Sequence, residues 1–173
     1  MANALAARGA ALVFGGGRVG LMGVLADTVL AGGGKVIGVI PTFLNDKELA
    51  HRGATEMLVV PDMHTRKRVM FERSDAFCIL PGGVGTMEEM FEIITWRQLH
   101  LHNKPIIILN TQGYWDPLIA LLDRMIDAGF AHKGHEQLVT VVSRAADVVP
   151  TAEAELAAPK APVLFKVYAP KDA

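Results

Sequence analysis

The residues best suited to chemistry lie in PGGVGTMEEMFE (81–92), directly after the apolar run AFCIL. Gly82, Gly83 and Gly85 let backbone approach a ligand closely. The helix that should follow offers unpaired N–H groups and a positive dipole end to an anion, with Thr86 beside them. Glu88, Glu89 and Glu92 would repel that anion. A small phosphorylated ligand reconciles the two, with its phosphate at the glycines and a sugar nearby. Glu89 and Glu92 are three apart and share a helix face, whereas Glu88 points elsewhere. Thr86-Met87-Glu88-Glu89 also fits a capping box, in which the Glu89 carboxylate would return to the Thr86 N–H. Spacing alone leaves both readings open.

A second glycine loop lies in GAALVFGGGRVGLMG, where Gly15, Gly17 and Gly20 satisfy G-x-G-x-x-G between a strand and a helix. A dinucleotide site of this type carries an acid at the end of the next strand to read the ribose. Here KVIGVI runs into Pro41-Thr42-Phe43, and the first acid is Asp46, which disfavours a dinucleotide-dependent oxidoreductase. The PGGVGT loop carries no Walker lysine after its glycines, which disfavours triphosphate hydrolysis. The glycines of the first loop could also do no more than make a tight turn.

Countercharge comes from PDMHTRKRVMFER. Asp62 is placed to cap a helix, and Arg66, Lys67 and Arg68 follow within two turns. Cations there oppose the helix dipole, so a neighbouring anion or carboxylate accounts for them better than helix stability does. The competing reading is a solvated face with an Asp62–Arg66 pair. His100, His102, His132 and His135 form no metal-ligand pattern, and nothing resembles a G-x-S-x-G elbow. No metal or organic cofactor is expected.

Elements must hold these segments in place. Short β-branched runs at 9–14, 35–40, 56–60, 75–80, 104–110 and 138–142 alternate with helical patterns near 20–32, 62–74, 86–102, 114–129 and 143–149. Strands without clean alternation point to a parallel sheet covered on both faces. Alternation with helices points to an open, doubly wound, mostly parallel α/β fold, with its strand-to-helix loops on one edge. ANALAARG looks like the last turns of a helix ahead of the first strand. One domain is expected over 1–150. It is followed by a tail over 151–173 that opens as an Ala/Pro-rich linker, TAEAELAAPKAP, and ends in a candidate strand, VLFKVYA (163–169).

The chain has 173 residues, a net charge of −1 and 51% hydrophobic residues. A near-neutral balance argues against a nucleic-acid-binding surface. No apolar run approaches the roughly 20 residues of a membrane span, and no signal peptide is legible. A cytoplasmic protein is expected, with Cys78 a small buried residue in a reducing compartment.

Taken together, GGGRVGLMG, VIGVIP, DMHTRK, SDAFCILPGGVGTMEE, ITWRQLHLHNKPIIILN and GYWDPL resemble the LONELY GUY (LOG) family of cytokinin riboside 5′-monophosphate phosphoribohydrolases, in order from about Ala7 to Val142. The resemblance implies a Rossmann-like homodimer that hydrolyses the N-glycosidic bond of a nucleoside 5′-monophosphate, without a cofactor. Its MHxRK motif maps onto Met63, Arg66 and Lys67, and the last glutamate of its PGGxGTxxE motif onto Glu89. The resemblance makes Glu89 and Arg66 catalytic. Gly82, Gly83, Gly85 and Thr86 would cradle the phosphate, with Gly16, Gly17, Met63 and Lys67 also on the substrate. The strand and loop with which family members usually begin have no counterpart before Ala7, and 163–169 is a candidate to take that strand's place. Related Rossmann-like proteins carry molybdenum cofactor, so a non-catalytic binding protein is the alternative. The older label "lysine decarboxylase-like" finds no lysine here suited to a Schiff base with pyridoxal phosphate.

Overall fold

The computed structural model describes residues 1–45, 47 and 49–160. They fall into two compact units that divide after Asp75, and each is built on its own three-stranded parallel sheet. The architecture is α/β and Rossmann-like, as expected, with the strands paired as two sets of three.

The first unit runs α1 (Ala2–Ala7), β1 (Leu12–Phe14), α2 (Leu21–Ala31), β2 (Val36–Pro41), α3 (Thr42–Asn45), β3 (Glu56–Val60) and α4 (Met63–Glu72). The sheet order is β1-β2-β3, with Leu12 opposite Val36 and Ile37 opposite Glu56. All six residues of central β2 are buried, which is why VIGVIP reads as a continuous apolar run without alternation. Ala2, Leu12, Phe14, Ala26, Val29 and Val36 form the core that joins α1 and α2 to the sheet. Asp62 caps α4 as expected, its carboxylate accepting the Thr65 N–H at 2.7 Å. That bond holds the Asp62 carboxyl below its usual range.

The second unit runs β4 (Phe77–Ile79), α5 (Val84–Gln98), β5 (Ile106–Leu109), α6 (Asp116–Asp127), β6 (Thr140–Val142) and α7 (Val148–Ala157). Its sheet order is β4-β5-β6, with Phe77 opposite Ile106 and Ile107 opposite Thr140. Every residue of central β5 is buried. Ile106 and Ile108 pack with Met90, Ile94, Trp115 and Leu118, and burying each large aliphatic side chain contributes about 1.5–3 kcal/mol. Parallel strands put the loops after β4 and β5 on one edge of this sheet.

Two expectations need correction. The helix expected near 143–149 lies at Val148–Ala157, so TAEAELA is helical rather than a linker. Pro150 occupies the first turn, where a missing N–H costs nothing. Val148 and Val149 are buried beneath it. The helix expected from 86 begins at Val84 with Gly83 as its N-cap. Thr86 is therefore the third helical residue and Glu89 the sixth, and the capping-box reading fails. Asp46 and the run 163–169 lie outside the described residues.

Candidate functional site

In the second unit, β4 delivers the chain into Pro81-Gly82-Gly83 and α5 starts at once. The first helical bond runs from the Met87 N–H to the Gly83 carbonyl at 3.1 Å. The N–H groups of Gly83, Val84, Gly85 and Thr86 thus lie ahead of the helix's own bonding pattern. Among the described residues no side-chain bond is made from the N-cap, Gly83, and the first turn contains no acidic residue. Gly83, Val84 and Gly85 are exposed. A Cβ on Gly82 would collide with the Thr86 side chain, so glycine there lets Thr86 fold back against the loop. Uncapped, exposed N–H groups at a helix start suit a phosphate group.

Glu89 stands in the second turn of α5, past the positions that cap a helix. It is half-buried, as is Glu92, whereas Glu88 is exposed, which matches the shared face read from their spacing. Met90 and Ile94 are in the core. Arg97 fixes the far end of α5: its buried guanidinium donates to the Leu138 carbonyl at 3.1 Å. Burial lowers its pKa, with Glu155 opposing the shift.

Sequence reasoning assigned no role to Tyr114. Its phenol donates to the Gly82 carbonyl at 2.8 Å, across the loop that follows β5. The signs in the sequence are its place in GYWDPL, one of the family-like segments, and the glycine directly before it. Cys78, in β4 behind the loop, has its thiol pushed up to about 12 by burial and is no nucleophile.

In the first unit, Arg66 is turned inward. It is buried, and its Nε donates to the Val39 carbonyl at 3.1 Å. The solvated-face reading therefore fails for Arg66, while Arg68 on the same helix is exposed and Lys67 and Met63 are half-buried. The guanidinium packs against Gly15, where a Cβ would collide with it. Gly16 has φ 74°, and a Cβ on it would press on Ile40 and Met57. The first two glycines of this loop thus admit the protein's own atoms, and a ligand there would meet backbone.

A strap formed by residues 49–51, which carries no sequence signature, closes over the same loop. The Arg18 N–H donates to the Leu49 carbonyl at 2.9 Å and the His51 N–H to the Gly16 carbonyl at 2.8 Å. The His51 ring sits edge-on to Phe14, with its Nε2 2.8 Å from an Asp27 carboxylate oxygen. β2 ends at Pro41 and runs directly into α3, which contains no acid, so the described residues there offer nothing to read a dinucleotide ribose. Among the described residues no three His, Cys, Asp or Glu side chains are grouped to hold a metal. None of the described helices is long and apolar enough to cross a membrane.

The sequence model of a family described as "Possible lysine decarboxylase" matches residues 22–152. A probable cytokinin riboside 5′-monophosphate phosphoribohydrolase of Oryza sativa subsp. japonica is 51% identical over 135 residues, which cover 78% of this chain and 60% of the rice protein. A cytokinin riboside 5′-monophosphate phosphoribohydrolase of Arabidopsis thaliana is 43% identical over 149 residues, covering 86% of this chain and 69% of that one. The chain belongs to this family, the LOG proteins. A bacterial relative of the same name, from Rhodococcoides fascians, is 52% identical over 131 residues, covering 75% of this chain and 66% of its own length. This LOG chain thus spans about 60% of the rice relative and about two-thirds of the bacterial one. Its fold is also that of the molybdenum cofactor carrier protein of Chlamydomonas reinhardtii, with a TM-score of 0.67 at 22% identity over 90% of this chain and 83% of that one. The molybdenum cofactor binding protein of Rippkaea orientalis gives 0.64 at 19% identity, over 88% and 82%.

Proposed function

We propose that this protein hydrolyses the N-glycosidic bond of nucleoside 5′-monophosphates, cytokinin riboside monophosphates or AMP, to free base and ribose 5-phosphate. The observation that carries the proposal is the start of α5. Four N–H groups stand there ahead of the helix's own bonding pattern, and Glu89 lies one turn further on, past the positions that cap a helix. Relatives named for this reaction, at 43–52% identity, support it.

In the proposed mechanism the 5′-phosphate binds Gly82, Gly83, Gly85 and Thr86, and the ribose reaches toward Glu89. As the bond from C1′ to the base nitrogen breaks, positive charge develops on the sugar. The Glu89 carboxylate stabilises that charge and takes a proton from the attacking water. The water oxygen bonds C1′, the bonding pair leaves with the base, and a proton returns to the base nitrogen. Arg66, held by the Val39 carbonyl, is the fixed cation of the catalytic set. Lys67, Met63, Gly16 and Gly17 are further substrate contacts. Positioning and electrostatics supply the catalysis.

The same reading has the protein acting in the cytoplasm as a homodimer, with a small-molecule partner and no nucleic acid or membrane. Exposed apolar residues on α2, Leu21, Met22 and Val24, offer a surface for self-association.

The test incubates purified protein with AMP or isopentenyladenosine monophosphate and measures free base and ribose 5-phosphate by chromatography. The wild type releases both. Glu89→Gln keeps the fold, because position 89 lies past the first turn and glutamine is nearly isosteric with glutamate, and loses turnover by about 10²–10⁴-fold. A folded variant with near-normal turnover would remove Glu89 from the mechanism. A wild type that binds nucleotide without releasing base would instead favour a carrier.

A further inference from the structure

Tyr114 lies outside every role assigned so far, and its placement is unusually well determined for an exposed residue. It follows Gln112 and Gly113, whose φ values of 54° and 69° place two successive residues in the left-handed region. A Cβ on Gly113 would collide with the Asp116 carboxylate, so glycine is required there on two counts. Asn110, just after β5, holds the other side of the turn. Its side-chain oxygen accepts the Trp115 N–H at 2.7 Å, and its amide nitrogen donates to Asp116 at 2.7 Å. The Tyr114 ring meets Trp115 edge-on at 4.9 Å. This built turn delivers the phenol hydroxyl to the Gly82 carbonyl, although 51% of the residue is exposed.

Gly82 and Gly83 are adjacent glycines, and a peptide between two glycines rotates as a unit with little steric resistance. In a trans peptide the carbonyl and the N–H point in opposite directions. Holding the Gly82 carbonyl therefore also fixes the direction of the Gly83 N–H. That group is the first of the four uncapped N–H groups at the start of α5.

We infer that Tyr114 is a positioning residue for phosphate: its hydroxyl locks the Gly82–Gly83 peptide in the orientation that keeps the Gly83 N–H in the phosphate cradle. The inference rests on the nucleotide reading for the ligand, but not on hydrolysis. Tyr114 acts through Gly82 and does not touch the reacting bond. Its removal weakens binding of any phosphate monoester and leaves the chemical step unchanged.

Tyr114→Phe deletes one oxygen atom at an exposed position and should fold. Calorimetric titration with ribose 5-phosphate should show the dissociation constant raised about five- to tenfold, the loss expected for one orienting hydrogen bond. With AMP as substrate, KM should rise by the same factor while kcat stays within about twofold of wild type. Adenosine, which lacks the phosphate, should inhibit both proteins equally. A role confined to stability would lower the melting temperature and the apparent kcat with KM unchanged, and that pattern would overturn the inference. So would ribose 5-phosphate affinity within about twofold of wild type, or no ribose 5-phosphate binding by the wild type. If the wild type binds ribose 5-phosphate yet releases no base from AMP, hydrolysis fails as a reading, and the titration still decides the role of Tyr114.

Discussion

The guanidinium of Arg66 occupies the space that a side chain on Gly15 would need, and it is tied there by the Val39 carbonyl at 3.1 Å. A buried cation can neither swing aside freely nor lose its partner cheaply. Gly15→Ala should therefore displace the guanidinium, destabilise the fold by about 2–4 kcal/mol in urea melts and depress AMP hydrolysis at least about a hundredfold. Gly17→Ala is the control for stability. There a new Cβ would meet only the flexible end of Met22 at 2.9 Å, and the cost should stay below about 1 kcal/mol. Equal melts for the two variants would show that Arg66 moves aside without penalty.

The uncapped start of α5 invites the opposite experiment. Gly83 has extended backbone, with φ −96° and ψ −154°, and a Cβ there would meet nothing within 4 Å. Gly83→Asp should supply the missing cap and raise helix stability by a few tenths of a kcal/mol, since aspartate caps only slightly better than glycine. The same carboxylate would compete for the N–H groups assigned to phosphate. KM for AMP should rise at least about tenfold, because a like charge then occupies the anion site. A stabilised variant with unchanged KM would show that phosphate binds elsewhere.

The strand–helix alternation was legible because β2 and β5 are buried along their whole length, so that VIGVIP and IIIL stand out without alternation. Asp62 was legible as a cap because it precedes a helical pattern and its carboxylate matches the Thr65 N–H. Other features follow from backbone geometry, which residue types under-determine. Thr86 and Glu89 have capping-box spacing, yet the N-cap is Gly83, three residues before Thr86, and the Thr86 side chain folds onto Gly82. TAEAELAAPKAP reads as a linker from its Ala and Pro content, yet its first seven residues continue a helix that starts at Val148, with Pro150 in a first turn that tolerates proline. Glycine 15 reads as room for a ligand, and it is room for Arg66. The strap over the first loop ties Leu49 to Arg18 and His51 to Gly16 through main-chain atoms, which leave no trace in side-chain identity. Tyr114 reaches Gly82 only because parallel strands put the loops after β4 and β5 on one edge.

His102 makes part of the stability of the second unit depend on pH. It lies in the connection from α5 to β5, with Nε2 2.9 Å from the Ile93 carbonyl and Nδ1 3.1 Å from the Lys104 N–H. A carbonyl needs a donor and an N–H needs an acceptor, so the ring is neutral with its proton on Nε2. Burial is the main cause that holds its pKa below the ordinary value of about 6.5, reinforced by the charges of Arg97 and Lys104 and opposed by the Ile93 carbonyl. The unfolded chain, with the ordinary pKa, therefore takes up the proton at a higher pH than the folded protein does. This contribution to stability is complete above about pH 6.5 and is lost as the pH falls through the unfolded value toward the lower folded one. His102→Gln keeps a donor for the Ile93 carbonyl and cannot titrate. Urea unfolding at about pH 7.5 and pH 5.5 should show the wild type losing more stability than the variant between the two conditions. The other histidines are common to both proteins, so they cancel in the difference. Identical losses would place the acid sensitivity elsewhere, and a larger loss in His102→Gln would reverse the sign assigned to the buried ring.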